Sequence, residues 1–279
     1  MLGSASNVSG ARRGPRTVPP PSRGAGGAES EARVILAWQI GVGAVWLAVW
    51  EIVGGATGSI WISRPSLIFA QLLRWARGDL YIHVATTLTE VVVGLLIGAA
   101  GGILAGLWFG RSPLLAGVMR PIIVAFYSVP LIALTPLFIM FFGLDMEPKI
   151  ILVTIVVFFL LFFNTFAGAQ EVDADLIAAV DLMGSSTRER FQKVIAPACV
   201  AWIIGGVKVA LPYALVAATT GEMLAARRGL GFLLSDAASQ FDMTALYAAL
   251  VLLMLLGLAV SEAAAWLERH MLRWRHAAG

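Results

Sequence analysis

Six long apolar stretches run through the chain, and the segments between them hold nearly all of its charge. They cover 34–50, 91–110, 121–144, 150–170, 194–221 and 243–261. Each is hydrophobic on all sides, without the polar face of an amphipathic surface helix. The stretch over 91–110 is free of charge along its whole length, which is about what a helix needs to cross a bilayer. Lengths of this order suit spanning helices, not the alternating strands of about ten residues that build outer-membrane barrels. The predicted fold class is all-α: a polytopic membrane helix bundle with six transmembrane helices.

Between the stretches the pattern changes. In 66–78, Gln71, Arg74 and Arg77 recur three apart while Ile68, Leu72 and Trp75 take other positions. This predicts a short helix that lies on the membrane surface or covers the bundle. The longest polar interruption is 171–197, EVDADLIAAVDLMGSSTRERFQKVIAP. Behind a candidate N-cap, Asp175, the residues Leu176, Ala179, Val180 and Met183 follow a helical period. Gly184 is placed to end that helix in a left-handed conformation. A second helix over 186–195 carries Arg188, Arg190 and Lys193 and runs toward Pro197. An amphipathic helix, a glycine turn and a basic helix make a compact apolar knob that a soluble partner can grip.

Composition narrows the class further. Of 279 residues, 59% are hydrophobic and 13% charged, against about 45–50% and 25% in a soluble domain. The mean hydropathy is +0.84. An ordinary water-soluble enzyme, a disordered chain and a nucleic-acid binder are excluded. The net charge is only +3 on 20 basic and 17 acidic residues, so the basic isoelectric point reports where charges sit, not an anionic partner. A single cysteine, Cys199, leaves no internal disulfide and no cysteine-built metal site. His83, His270 and His276 are far apart, and none of the three lysines follows a glycine. No metal-ligand spacing and no GxxxxGK[ST] phosphate loop results, so no metal, cofactor or ATP site is expected on this chain.

Charge position sets the topology. Residues 1–33 hold five arginines and Pro15, Pro19, Pro20 and Pro21 but no apolar run. They read as a disordered basic cytoplasmic tail, not a signal peptide. With the N terminus inside, 13 of the 20 basic residues fall in inside segments and 6 in outside ones, with Lys208 inside a span. That bias predicts a multi-pass membrane protein with both termini cytoplasmic. The organisation expected is a tail over 1–33, a first span and outside loop over 34–83, a main membrane domain over 84–267 and a cytoplasmic tail over 268–279.

Several residues stand out inside the spans. Gly94, Gly98, Gly102, Gly106 and Gly110 fall every fourth position, along one helix face where a neighbouring backbone can approach closely. Pro130 and Pro136 interrupt the third span, either as kinks or as breaks that line a cavity. Lys208 is set either to face the bundle interior or a path, or to snorkel. Asn164 and Thr165 are helix–helix hydrogen-bonding groups or part of a polar path. Glu90 is expected among solvated headgroups. Glu222 is expected either to pair with Arg227 or Arg228 or to sit at an outer gate.

The segment 171–197 also carries a resemblance. It is similar to the cytoplasmic coupling loop, or EAA loop, of ABC importer permeases, in which Glu-Ala-Ala is followed after three residues by Gly and, nine residues on, by Ile-x-Leu-Pro. Here Ala178-Ala179-Val180, Gly184 and Val194-Ile195-Ala196-Pro197 keep that spacing, with Ala178 where Glu is usual and Ala196 where Leu is usual. The wider resemblance covers about 84–267 and includes SVPLIALTPLFIMFFG (128–143), NTFAG (164–168) and GEMLAARRGLGFLL (221–234). These resemble the branch that imports nitrate, sulfonates, taurine and pyrimidine thiamine precursors. The resemblance implies a type I importer permease that forms a homodimer, with two cytoplasmic ABC ATPase subunits and an extracytoplasmic substrate-binding protein as partners. It implies ATPase coupling through Ala178, Ala179, Asp181, Gly184, Phe191 and Pro197, with no catalysis on this chain. Pro130, Asn164, Lys208 and Glu222 are the candidates for the translocation path or gate. The alternative reading is a proton- or sodium-coupled secondary transporter using Glu90, Glu222 or Lys208.

Overall fold

A computed structural model of the chain describes residues 25–58, 61–110, 113–172 and 174–271. Among them no strand occurs, and the helices are α1 (Ala25–Thr57), α2 (Pro65–Ala76), α3 (Leu80–Gly110), α4 (Pro113–Tyr127), α5 (Thr135–Phe142), α6 (Glu147–Gln170), α7 (Ala174–Leu182), α8 (Thr187–Arg190), α9 (Ala196–Ala225), α10 (Leu230–Ser239) and α11 (Met243–Met271). Of the tail expected over 1–33, residues 1–24 lie outside the described residues and 25–33 belong to α1; of the tail expected over 268–279, residues 268–271 belong to α11 and 272–279 lie outside the described residues. Two compact units divide the chain between Val49 and Trp50, inside α1. The first holds α1 as far as Val49, with its side chains exposed from Arg33 onward. The second holds the last turns of α1 and α2–α11.

The glycines of α3 fix the centre of the second unit. A Cβ on Gly94, Gly98, Gly102, Gly106 or Gly110 would collide in turn with Val153, Thr154, Phe158, Thr165 and Ala169 of α6. The partners advance in the same direction along both helices, so α3 and α6 run parallel at near backbone contact. Close approach is what drives association in lipid, where burial of apolar surface gives no preference for one helix over a lipid tail. On its other face α6 meets α9 running antiparallel: Gly168 lies against Trp202, Gly206 against Asn164 and Gly221 against Lys149. Leu152, Val153, Val157 and Leu161 of α6 are fully buried between Val91 and the small residues Ala210, Ala214, Ala217 and Ala218 of α9. α11 then packs antiparallel to α9, with Glu268 at Lys208 and Gly257 beside Leu215.

Parallel α3 and α6 require the chain to return between them. It does so over 113–142, where α4 and the segment Leu131–Phe142 are bent by 65° at a short break. Among the described residues five helices are long and apolar enough to cross a membrane, and the bent pair, taken as one span, would make a sixth. Pro130 stands at the break, followed by a 3₁₀ turn over Leu131–Leu134. Pro136, by contrast, makes no kink: it falls in the first turn of α5, where the missing N–H would have had no partner. Pro121 and Pro212 lie inside α4 and α9.

Two helix boundaries differ from the hydropathy reading. α3 starts at Leu80, well before residue 91, because polar residues in its first turns turn inward on the helix itself: Thr86 and Thr89 donate to the carbonyls of Ile82 and Ala85 at 2.9 and 2.7 Å. The helix expected over 186–195 does not end at Pro197. α8 passes through a single π turn, Phe191–Ile195, directly into α9. Pro197 cannot donate to the carbonyl four residues back, and the backbone widens just before it. The predicted surface helix over 66–78 is α2. Its Ser66 holds Glu51 of α1 through both its N–H (3.0 Å) and its hydroxyl (2.7 Å).

Candidate functional site: the α7–α8 hairpin and a polar clasp at the opposite end

The hairpin after α6 is built from local hydrogen bonds. Asp175 is the second residue of α7, inside the first turn and not at the N-cap expected for it. At the far end, the N–H groups of Met183, Gly184 and Ser185 bond back to Ala179, Asp181 and Val180. Gly184 has φ +78°, the left-handed conformation that only glycine adopts without strain. Ser186 opens α8 with a capping box: its N–H donates to Glu189 Oε2 at 3.1 Å, and the Glu189 N–H donates to its hydroxyl at 3.3 Å. Arg190 closes the hairpin through an ion pair with Asp181 at 3.1 Å. Phe191 packs with Ile195, Cys199 and Ala169, which seats the hairpin on the ends of α6 and α9.

What the hairpin presents is apolar. Leu182 and Met183 at its tip are 90% and 85% exposed, and Ala178 and Ala179 are also exposed. Among the described residues no group of three or more His, Cys, Asp or Glu side chains is placed to hold a metal ion.

A second polar cluster lies at the other end of α9. His83 Nδ1 stands 3.1 Å from both the N–H and the carbonyl oxygen of Gly229, with Phe232 stacked on the ring. The Thr87 hydroxyl donates to Glu222 Oε1 at 2.6 Å and accepts the Leu230 N–H at 2.9 Å. Glu222 Oε2 accepts the Gly231 N–H at 2.7 Å. Three side chains on two helices thus hold Gly229, the last residue of the turn after α9, and Leu230 and Gly231, the first two residues of α10. Gly229, at φ +118°, leaves the Glu222 carboxyl the space its own Cβ would fill.

Glu222 is therefore buried in the bundle and binds backbone and Thr87, with neither Arg227 nor Arg228 as its partner; both arginines are exposed. Glu90 is likewise not among headgroups but fully buried, because α3 extends a further three turns beyond it. Lys149, counted with the outside loops from sequence, is buried in the first turn of α6 and donates to the carbonyls of Leu144 and Asp145 at 2.9 and 2.7 Å. The four path candidates do not gather. Pro130 marks the break, and Glu222 belongs to the clasp. Lys208 pairs with Glu268 at 2.8 Å with its side chain half exposed. Asn164 lines a cavity of about 680 Å³ together with Glu171, Pro197, Trp202 and Gly205. His83, Thr87, Gly229 and Gly231 were missed as a group. The signal available was the GEMLAARRGLGFLL run, whose glycines mark close backbone approach but whose partners lie on α3.

Fold and hairpin together define a class: a polytopic helical membrane protein that offers a rigid apolar hairpin at one end of its bundle. Residues 98–273 match the family described as "Binding-protein-dependent transport system inner membrane component", and the chain belongs to that family. It is a permease subunit of an ABC importer and a multi-pass protein of the inner membrane. Over 238 residues it is 29% identical to the putative aliphatic sulfonates transport permease protein SsuC of Bacillus subtilis, covering 84% of this chain and 86% of that one. It is 27% identical to the formylaminopyrimidine transport permease protein ThiX of Halalkalibacterium halodurans, with 82% and 92% covered. To the taurine transport system permease protein TauC of Escherichia coli it is also 27% identical, with 84% and 88% covered. Among solved structures, a chain of an amino acid ABC transporter shares the fold with a TM-score of 0.60 at 16% identity, over 72% of this chain and 98% of that one. A chain of the inward-facing MetNI methionine ABC transporter does so with a TM-score of 0.56 at 21% identity, over 72% and 96%.

Proposed function

We propose that the α7–α8 hairpin docks into a separate cytoplasmic ABC ATPase, and that two copies of this chain enclose a path for a small solute. The solute is of the sulfonate, taurine, nitrate or pyrimidine thiamine-precursor group, delivered to the clasp end by an extracytoplasmic binding protein. The relatives' names support sulfonates, taurine and a formylaminopyrimidine, nitrate rests on the sequence resemblance alone, and the charge bias along the chain supports two cytoplasmic termini. Ala178, Ala179, Asp181 and Gly184 form the docking element, and Phe191 and Pro197 seat it on the bundle. Pro130, Asn164, Lys208 and Glu222 remain the candidates for path and gate. The observation that carries this reading is the hairpin itself: an exposed apolar tip held by a left-handed glycine, a capping box and an ion pair. Force passes through such an element by packing and rigidity, so no reactive group is needed.

The test is Gly184→Val, read by co-purification with the ATPase encoded nearest this chain and by solute uptake. A β-branched residue at φ +78° is strained by about 1–3 kcal/mol, yet a Cβ there meets nothing within 4 Å. The variant is therefore expected in the membrane at normal level, with ATPase binding and uptake lost. Normal binding and uptake would overturn the docking assignment.

A further inference from the structure

The clasp leans on a residue that takes no part in its hydrogen bonds. Glu90 lies about one turn along α3 from Thr87, is fully buried, and has no hydrogen-bond partner on either carboxyl oxygen. Glu222 of α9 bonds Thr87, one turn away from Glu90 on the same helix, and Lys149 of α6 and Asp145 of the loop before it line the same cavity as Glu90. The Lys149 ammonium is already committed to two loop carbonyls. From the turn, Arg227 and Arg228 face the same cavity but are exposed to solvent. On α3 itself His83 is engaged with Gly229, and α10 contributes the N–H of Gly231.

Two carboxyls and one ammonium, each 3% exposed or less, thus share the interior. If both carboxyls were ionised, the cluster would hold a surplus negative charge away from water and two like charges side by side. Both are unfavourable. One proton removes both problems. A carboxylate accepts at about four lone-pair sites, and Glu222 uses one for Thr87 and one for Gly231. It has room for a third donor, and Glu90 as a neutral acid is placed to be it. A cavity of about 740 Å³ is lined by Thr86, Glu90, Asp145, Lys149, Arg227 and Arg228.

We propose that Glu90 and Glu222 share one proton, and that Glu90 is thereby the positioning residue that keeps Glu222 aimed at the α9–α10 turn and the clasp shut on α3. The sign follows directly. Raising the pH removes the shared proton, sets two carboxylates against each other and loosens the turn. Lowering the pH leaves the clasp intact.

The experiment uses the full-length permease in lipid nanodiscs. Infrared spectra carry a carbonyl stretch for a protonated carboxyl that an ionised one lacks. That band is expected in the native protein and is expected to be lost in Glu90→Gln. In a Cys199→Ala background, a Leu230→Cys thiol reports clasp opening, since Leu230 is fully buried. Its maleimide reactivity is taken relative to the unfolded chain at each pH, which cancels thiol ionisation. Reactivity should rise by roughly tenfold or more toward alkaline pH, the factor expected for losing a hydrogen bond to a charged group. With Glu90→Gln added it should stay low throughout, because the amide donates at every pH. An unchanged infrared band in Glu90→Gln would overturn the proposal, as would an alkaline rise that persists in that variant. A rise abolished instead by His83→Gln would assign the effect to the histidine and overturn it equally. The infrared measurement needs no cysteine, so it decides the matter even if the Leu230→Cys protein does not fold.

Discussion

At Gly231 the turn after α9 closes so tightly that a single methyl group has nowhere to go. A Cβ there would run into the Thr219 carbonyl oxygen, and into Glu222 as well. Backbone cannot swing aside as a flexible side chain does, so Gly231→Ala should destabilise the protein by about 1–3 kcal/mol, the usual cost of overpacking. Gly205, in the same helix as Glu222, has nothing within 4 Å of its Cβ position. Gly205→Ala should be neutral or stabilising by about 0.4–1 kcal/mol through the unfolded state. Thermal unfolding of the two variants in one detergent checks the contrast; equal effects would contradict the packing described. Legibility at this scale was uneven. Gly184 could be read because the helix it ends, the turn and the following Ser-x-x-Glu box are contiguous in the chain. Glu90 could not, since its neighbours Glu222 and Lys149 are remote in sequence and only the fold brings them to it.

The helices themselves were largely visible because lipid demands long apolar runs. What a hydropathy window loses is a polar end that the helix satisfies by itself, as with the threonines at the start of α3. It also loses a polar end that serves as a partner's ligand, as with the last turn of α9. α10 escaped for a related reason, being too short to span and quoted only as part of a longer motif. The glycine period of α3, in contrast, announced a close contact without saying with what; α6 supplies the answer. A matched pair tests that contact. On Gly102 a Cβ would lie 2.5 Å from the Phe158 carbonyl oxygen and 3.0 Å from the Phe162 nitrogen. On the adjacent Gly101 the nearest atom is Cδ2 of the Phe158 ring at 3.2 Å, a side-chain atom that can turn away. Gly102→Ala is expected to separate α3 from α6 and to lower the unfolding temperature in detergent, whereas Gly101→Ala is expected to leave it within a degree or two. This size of difference follows from overpacking against fixed backbone versus a movable ring.

On the scale of the whole molecule, the direction of α6 decides how many times the chain crosses. α3 and α6 are parallel, so their corresponding ends face the same side, and 113–146 has to carry the chain from the end of one to the start of the other. Two short helices bent by 65° do this, which makes the third crossing a broken span and not a loop that dips in and returns. The distinction has a direct readout. Leu114, at the start of α4, and Asp145, after α5, are both exposed, as is Met183 at the hairpin tip. Single cysteines at each position, in a Cys199→Ala background, can be challenged with a membrane-impermeant maleimide in intact and in lysed cells. A broken span predicts that Asp145→Cys reacts in intact cells, while Leu114→Cys and Met183→Cys react only after lysis. If Leu114→Cys and Asp145→Cys were to label from the same side, the segment would be re-entrant. The parallel pairing of α3 with α6 could not then stand, because no other described segment lies between them to bring the chain back.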